Sequence, residues 1–363
     1  LAGGAVALTA AWIGAWYYSA GLAEQRISAW RAQEEQQGRI HSCGRQTIGG
    51  FPFRIEVRCV NAVAELRRAN PPLTIAAKEI VFSGQLYNFT VSNADIAAPF
   101  TISEPTRRLW TGNWSQAHVN VHGVPAALDR LTMAIDGLTL DEPGATVLTA
   151  GRVELDARVV MGSARHNPVL DVNLKAAGAV VSAAYAPREP ADLELSALLR
   201  GLRNLSPQRL PALLQEFQAS DGRLEITKAR LKQGDTVAAA AGVLGLSANG
   251  RPAGSLRLTV AGVERLVQAL GLDRALTQTT AGRSGALGLD RAGSAQSALD
   301  RLIPGLGGAA RNKAAEAGLQ MGIALLGQPT ELEGRRATAI ALRFADGAAM
   351  FGPIKLGQVP PLY

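Results

Sequence analysis

Apolar and polar residues alternate with a period of two over most of the stretch from His41 to about Ser182. In "HVNVHG", Val119 and Val121 fall on one face of a strand, because successive side chains point to opposite sides. "LTMAIDGLTL" repeats the pattern with Leu131, Met133 and Ile135. "TIAAKEIVFSGQLYNFTVSNADI" predicts at least two strands, broken near Ser83-Gly84, and "RVELDARVV" and "VLDVNLKAAGAVVSAAY" continue the series. Proline-rich breaks stand at Asn70-Pro71-Pro72 and from Pro187 to Pro190. No helical period separates the strands, so the sheet is expected to be antiparallel.

Beyond that region the pattern mixes. "SPQRLPALLQEFQASDG" predicts a helix with Ser206 as N-cap and Pro207 at its first position. Three strands follow, near residues 223–231, 236–246 and 255–261, with a turn at Asn249-Gly250 before the third. Leu256, Leu258 and Val260 share a face of that third strand. "VERLVQAL" predicts a short helix, and the Ala/Gly-rich residues 290–326 a partly helical segment. In "ATAIALRFADG", Thr338, Ile340, Leu342 and Phe344 alternate with Ala and Arg, and "GPIKLGQ" predicts a last strand. No strict repeat period is present, which argues against a regular solenoid. The expected fold is mainly β (α+β): a long, curved, incompletely closed antiparallel sheet with a few packing helices.

The first residues break the alternation. "LAGGAVALTAAWIGAWYYSAGLA" has no charge and no proline. At ~1.5 Å per residue it reaches ~35 Å as a helix, enough for a hydrocarbon core of ~30 Å. Trp12, Trp16, Tyr17 and Tyr18 lie toward its far end, where an aromatic belt meets head groups. A cleaved signal peptide is the rival reading, since Ala5-Val6-Ala7 has the small-x-small form. The apolar run continues past that point, which favours an uncleaved anchor. "LAEQRISAWRAQEEQQG" then predicts a stalk helix, with Ala23, Ile27 and Trp30 on one face and Gly38 as its stop. The expected organisation is an anchor at 1–23, a stalk at 24–38, a β-rich region at 39–204 and a second β region with helices at 205–363.

The composition adds a core and a sign. Apolar residues make up 47% of the chain, which excludes a disordered chain. The net charge of +7 suits anionic head groups or nucleic acid, with a plain solvated basic surface as the alternative. No dense basic run or nucleic-acid motif accompanies it, so nucleic acid is not an expected partner. There is no G-x-S-x-G elbow, P-loop or H-E-x-x-H, so neither a catalytic site nor a cofactor is expected. His118, Asn120 and His122 share a strand face, but two histidines without a third ligand read as a polar solvent face rather than a metal site. His41 and His166 are isolated. Arg107-Arg108, ahead of Trp110 and Trp114, reads as a packed surface loop, with contact to lipid head groups as the alternative.

The two cysteines stand at either end of "CGRQTIGGFPFRIEVRC". Their spacing is neither a zinc knuckle nor C-x-x-C. If the segment is a hairpin centred on Phe51, Cys43 and Cys59 face each other directly, at a separation of ~4.5–5.5 Å that suits a disulfide. Such a bond persists in an oxidising compartment and contributes ~3 kcal/mol in the chain-entropy model. A bulge at Gly49-Gly50 would shift the register by one. Two free buried thiols are the alternative. Phe51 and Phe53 are expected in the core, with the membrane as the alternative.

Three stretches carry a family resemblance. "GAWYYSAGLAEQRISAWRAQEEQQGR", "GFPFRIEVRC" and "LRFADGAAMFGPIKLGQVPPLY" resemble the DUF2125 proteins of alphaproteobacteria. That resemblance implies an N-terminal anchor and a periplasmic body. "GRLEITKARLKQGDTVAAAAGVLGLSANGRPAGSLRLTVAGV" resembles the C-terminal sheets of AsmA-like proteins, which carry lipid in a groove of curved sheet. It implies an inner-membrane-anchored periplasmic protein that binds or transfers phospholipid in an open β-groove, with no enzymatic step. Candidate lining positions are Leu256, Leu258, Val260, Ile340, Leu342 and Phe344, which in an ordinary two-layer fold would be core. The alternative is a structural or interaction protein of the envelope with a filled core, a protein partner and no lipid.

Overall fold

The computed structural model describes residues 2–69, 71–86, 88–123, 128–182, 189–205, 210–261, 327–345, 347–351 and 354–363. The expected "VERLVQAL" helix, the segment 290–326, and the capping pair Ser206 and Pro207 lie outside the described residues. The chain divides into two compact units, Leu1–His166 with Leu170–Ser182, and Asn167–Val169 with Ala183–Tyr363. Both are mainly β.

The first unit opens with one helix, α1 (Ala2–Gln36), which runs through the expected anchor and stalk without a break. No proline interrupts it, and Gly38 ends it at φ +77°, a conformation that L side chains rarely adopt. Eight strands follow in chain order: β1 (Arg39–Gly49), β2 (Arg54–Leu66), β3 (Leu73–Gln85), β4 (Asn88–Ser103), β5 (Arg108–Asn113), β6 (Gln116–His122), β7 (Arg130–Glu142) and β8 (Ala145–Ser163). A ninth, β9 (His166–Val181), runs beside β8, with the Ser182 amide donating to Val147 at 2.9 Å. Each of β1 to β4 pairs antiparallel with the next. The short strands β5 and β6 then share both neighbours: each pairs with β4 on one side and β7 on the other. β7 pairs with β8.

One feature recurs at the same level in every strand of this unit. Gly44 of β1 and Asn61 of β2 drop out of an otherwise regular register. Lys78 of β3 has no partner, and in β4 the register slips across Ala98-Pro99. Trp114 and Ser115 separate β5 from β6, opposite Gly137 and Leu138 of β7. Gly137 also faces Gly151 of β8 across a gap in their pairing, and Gly178 of β9 lies against the Gly151 amide. Asn61, Gly137 and Gly178 all have positive φ. These interruptions line up across the strands as a crease.

The crease resets the alternation. Residues three apart in a regular strand face opposite sides. Here Cys59 and Ala62 are both buried, and they form one core cluster with Ala77. Cys43, Ile80, Ile96 and Phe100 pack against that cluster, from both sides of the crease. The apolar positions before and after the crease therefore face the same side. Buried alanines (Ala62, Ala77, Ala94, Ala117 and Ala150) supply the narrow positions there.

The second unit contains β10 (Ala191–Arg200), α2 (Leu210–Ala219), β11 (Arg223–Gln233), β12 (Thr236–Leu246), β13 (Pro252–Ala261), β14 (Gln328–Leu332), β15 (Arg335–Ala345), β16 (Ala348–Phe351) and β17 (Ile354–Gln358). Antiparallel pairs link β10, β11, β12, β13, β15, β16 and β17 in that order, and β14 forms a hairpin with β15. The expected turn is present, with Gly250 at φ +67°. Phe217 of α2 is buried over Gly222, where no side chain competes for the space. Val237 and Val260 are among the most completely buried side chains.

Candidate functional site

The opening hairpin is the most elaborated corner of the first unit. Cys43 and Cys59 are bonded, with Cα atoms 5.4 Å apart. They are not directly opposite, as a bend centred on Phe51 would require. Cys43 pairs with Ala62, and Cys59 with Gln46, which puts the centre of the hairpin between Pro52 and Phe53. On a straight ladder, three steps of ~3.3 Å and a strand spacing of ~5 Å would hold the Cα atoms ~11 Å apart. The observed distance requires the hairpin to turn over at Gly44 and Asn61, the two residues that drop out of its pairing. The disulfide thus spans the crease.

Helix α1 lies along this hairpin. At its base, Glu34 accepts hydrogen bonds from Arg39, one of 2.7 Å to Nη2, and stands 3.4 Å from His41 Nε2. These contacts, the Arg39 hydrogen bond first, hold the Glu34 carboxyl below its ordinary range, against a burial effect that raises it. The Trp30 ring packs over His41 at 4.5 Å between centroids. In the middle, Arg31 Nη2 donates to Gln46 at 2.6 Å and lies 3.2 Å from the Cys43 sulfur. At the tip, the Trp12 indole donates to the Pro52 carbonyl and the Trp16 indole to the Arg54 carbonyl, both at 2.9 Å. Trp16 is buried and meets Phe51 edge-on at 5.6 Å; Trp12 lies 6.0 Å from Phe53.

Phe51 and Phe53 are not core residues. They are 52% and 61% exposed. The Gly50–Arg54 turn hands the Pro52 and Arg54 carbonyls to α1 and leaves both phenyl rings more than half exposed. Among the described residues, no helix is long and apolar enough to cross a membrane.

The strand register arranges a lattice of apolar side chains in the first unit. Val119, Met133 and Leu155 stand abreast on β6, β7 and β8. Val121, Leu131 and Ala157 form the next row, and Ala117, Ile135 and Val153 the row on the other side. Except for Ala117, all are only partly buried. Phe82, abreast of Val57 and Ala94 on the same face, is 51% exposed. The opposite face is ionic. Arg130 pairs with Asp156 at 2.6 Å, Arg152 with Asp136 at 2.8 Å, and Arg158 with Asp171 at 2.9 Å.

In the second unit the register brings the six candidate lining residues onto one face. Leu256 pairs with Leu342, Leu258 with Ile340, Gly254 with Phe344, and Val260 with Thr338. Val260 and Ile340 are buried, while Leu256, Leu258, Leu342 and Phe344 are partly buried. On β12 the same face carries Ala238, Ala240 and Gly242, and Ala238 is buried. Alternation alone had grouped these six residues; it could not show that β13 and β15 are direct neighbours across a long connection.

Other polar groups pair locally. His118 Nδ1 lies 2.6 Å from Asp95, and its Nε2 lies 3.1 Å from Asn120, which in turn reaches Thr132. No group of three metal-ligating side chains occurs among the described residues. Arg107 pairs with Glu104 at 2.9 Å. The Trp114 indole donates to Ile96 at 2.7 Å and its ring covers Phe100, so this tryptophan fills the crease.

These features define a class: a mainly β protein with a disulfide-spanned hairpin clamped to an N-terminal helix, and one apolar and one ionic sheet face. The chain belongs to the family described as "Uncharacterized protein conserved in bacteria (DUF2125)", whose model matches residues 16–360. No curated protein and no solved structure matches it. No comparison shows the AsmA-like resemblance expected for Gly222–Val263.

Proposed function

We propose that this is a non-enzymatic, membrane-attached protein of the cell envelope whose apolar sheet faces hold phospholipid acyl chains, leaving head groups in water. The carrying observation is the lattice around Met133, whose side chains remain partly exposed although they stand in registered apolar rows. Each ~100 Å² of such surface covered by an acyl chain contributes ~2.5 kcal/mol before the costs of association. The Cys43–Cys59 bond supports a periplasmic body, since such bonds persist in oxidising compartments. The uncharged start of α1 supports attachment at the inner membrane. The AsmA-like resemblance of the second unit supports lipid as cargo there too, on the face of Leu256, Leu258 and Leu342.

The test is phospholipid carried by the protein extracted from membranes, measured by native mass spectrometry. The wild type retains lipid, and Met133→Asp with Leu155→Asp lowers its occupancy; Leu258→Asp reports on the second face. A wild type without lipid, or an aspartate pair with unchanged occupancy, overturns the reading.

A further inference from the structure

The phenyl rings at the hairpin tip pack against Trp16 and Trp12 yet stay more than half exposed. We infer that the Phe51-Pro52-Phe53 loop and the Trp12–Tyr18 stretch of α1 form one membrane-interface edge, seated among the head groups of a phospholipid bilayer. The inference rests on the membrane attachment proposed above but not on lipid held by the sheet.

Three observations point to a bilayer surface. The loop is locked to α1 within its uncharged stretch, since Trp12 and Trp16 hold the carbonyls of Pro52 and Arg54. The body and the uncharged helix therefore meet at Trp12, not at residue 23. Wherever residues 2–11 enter a bilayer, the loop follows to its surface. Second, the exposed groups are those of an interfacial belt: Tyr17 and Tyr18 are 67% and 74% exposed on α1, and Phe51 and Phe53 are exposed on the loop. Both indole N–H groups are already satisfied, so the exposed Trp12 ring enters the interface without an unpaired donor. Third, the patch continues directly into exposed Val6 and Leu8, while the next charge on the loop side is the exposed Arg54. Trp12 to Tyr18 covers ~9 Å of helix, and the polar zone on each side of a ~30 Å hydrocarbon core is of similar depth.

The test uses the full chain with its native disulfide, reconstituted in vesicles of phosphatidylethanolamine and phosphatidylglycerol. An environment-sensitive fluorophore is placed at Phe53→Cys, Phe51→Cys, Leu8→Cys or Arg165→Cys; Arg165 lies in the exposed turn between β8 and β9. Emission from positions 53 and 51 is expected to shift to the blue and to be quenched more by lipids spin-labelled near the head group than by deep labels. Position 165 is expected to remain water-like. Quenching at position 8 alone overturns the interface edge while leaving membrane attachment standing. Absence of quenching at 8, 51 and 53 overturns both. Neither result bears on whether the sheet carries lipid.

Discussion

The two units solve the same problem with different strand pairing. In the second, β12 and β13 pair from Val237 to Leu246 without a gap, and β13 and β15 from Gly254 to Val260. In the first, every strand loses its register at one level, and the sheet continues beyond it with its apolar side still facing the same way. An uninterrupted ladder needs only alternation. A crease needs something more at each strand: a residue at positive φ, a bulge or a break between two short strands. It also interrupts the ladder, and here the Trp114 indole donates to the Ile96 carbonyl and the Cys43–Cys59 bond links the two sides.

The comparison can be broken from either side. The largest effect is expected in the second unit, at a position of 0% exposure: Val260→Asp buries a carboxylate with no counter-charge. It should cost about 4 kcal/mol or more. Amide hydrogen exchange should show protection lost in β12, β13 and β15 while β1 to β8 keep theirs; loss in both units together would show them to be one cooperative body. Next comes the cross-link of the first unit. Cys43→Ser with Cys59→Ser should cost about 3 kcal/mol, read as a shift of denaturant midpoint, with faster exchange confined to the hairpin and β3. Equal loosening of β12 would sink the view that this bond serves the crease.

Gly137→Ala is a smaller lesion. At φ +65° an alanine is strained by about 1 kcal/mol, so thermal stability should fall by a few degrees. The same exchange at Gly144, which also has positive φ but sits in the β7–β8 turn, should cost as much without loosening β5 and β6. The smallest effect is acid sensitivity. Glu34 in the first unit and Glu333 in the second both have their pKa lowered, chiefly by hydrogen bonds from Arg39 and Arg230. A lowered folded pKa means the unfolded chain takes up protons first as pH falls. The stabilisation is present above the ordinary glutamate range and lost as pH drops through the folded value. Glu34→Gln and Glu333→Gln should each flatten the acid limb of a stability–pH curve; an unchanged limb would deny these pairs any part in it.

Part of the second unit was legible because the β12–β13 and β13–β15 ladders follow alternation alone, whereas the register shifts at Ser196/Ala197 and Ile226/Ala229 were not foreseen. The strand expected over 236–246 is β12, residue for residue, and the six lining positions were grouped by period two alone. The crease was not legible. Gly44, Asn61, Lys78, Pro99 and Gly137 share no local signature, and only pairing between strands lines them up. The disulfide was predicted, but from a bend assumed to be symmetric about Phe51; the true register is three steps away, and the bond forms because the hairpin turns over. Phe51 and Phe53 were expected inside, with the membrane as the alternative. Nothing in their own neighbourhood reveals that two indoles some forty positions upstream claim the backbone between them.

The disulfide-spanned hairpin also has a consequence in time. Helix, turn, both sulfurs and the first interrupted pair all lie within residues 2–66. A chain that is made and delivered from its N-terminus completes this corner while most of its strands have yet to emerge. Its contacts are short in sequence, so they close quickly. Every later strand is then added to an edge whose register, and whose position of interruption, has already been decided.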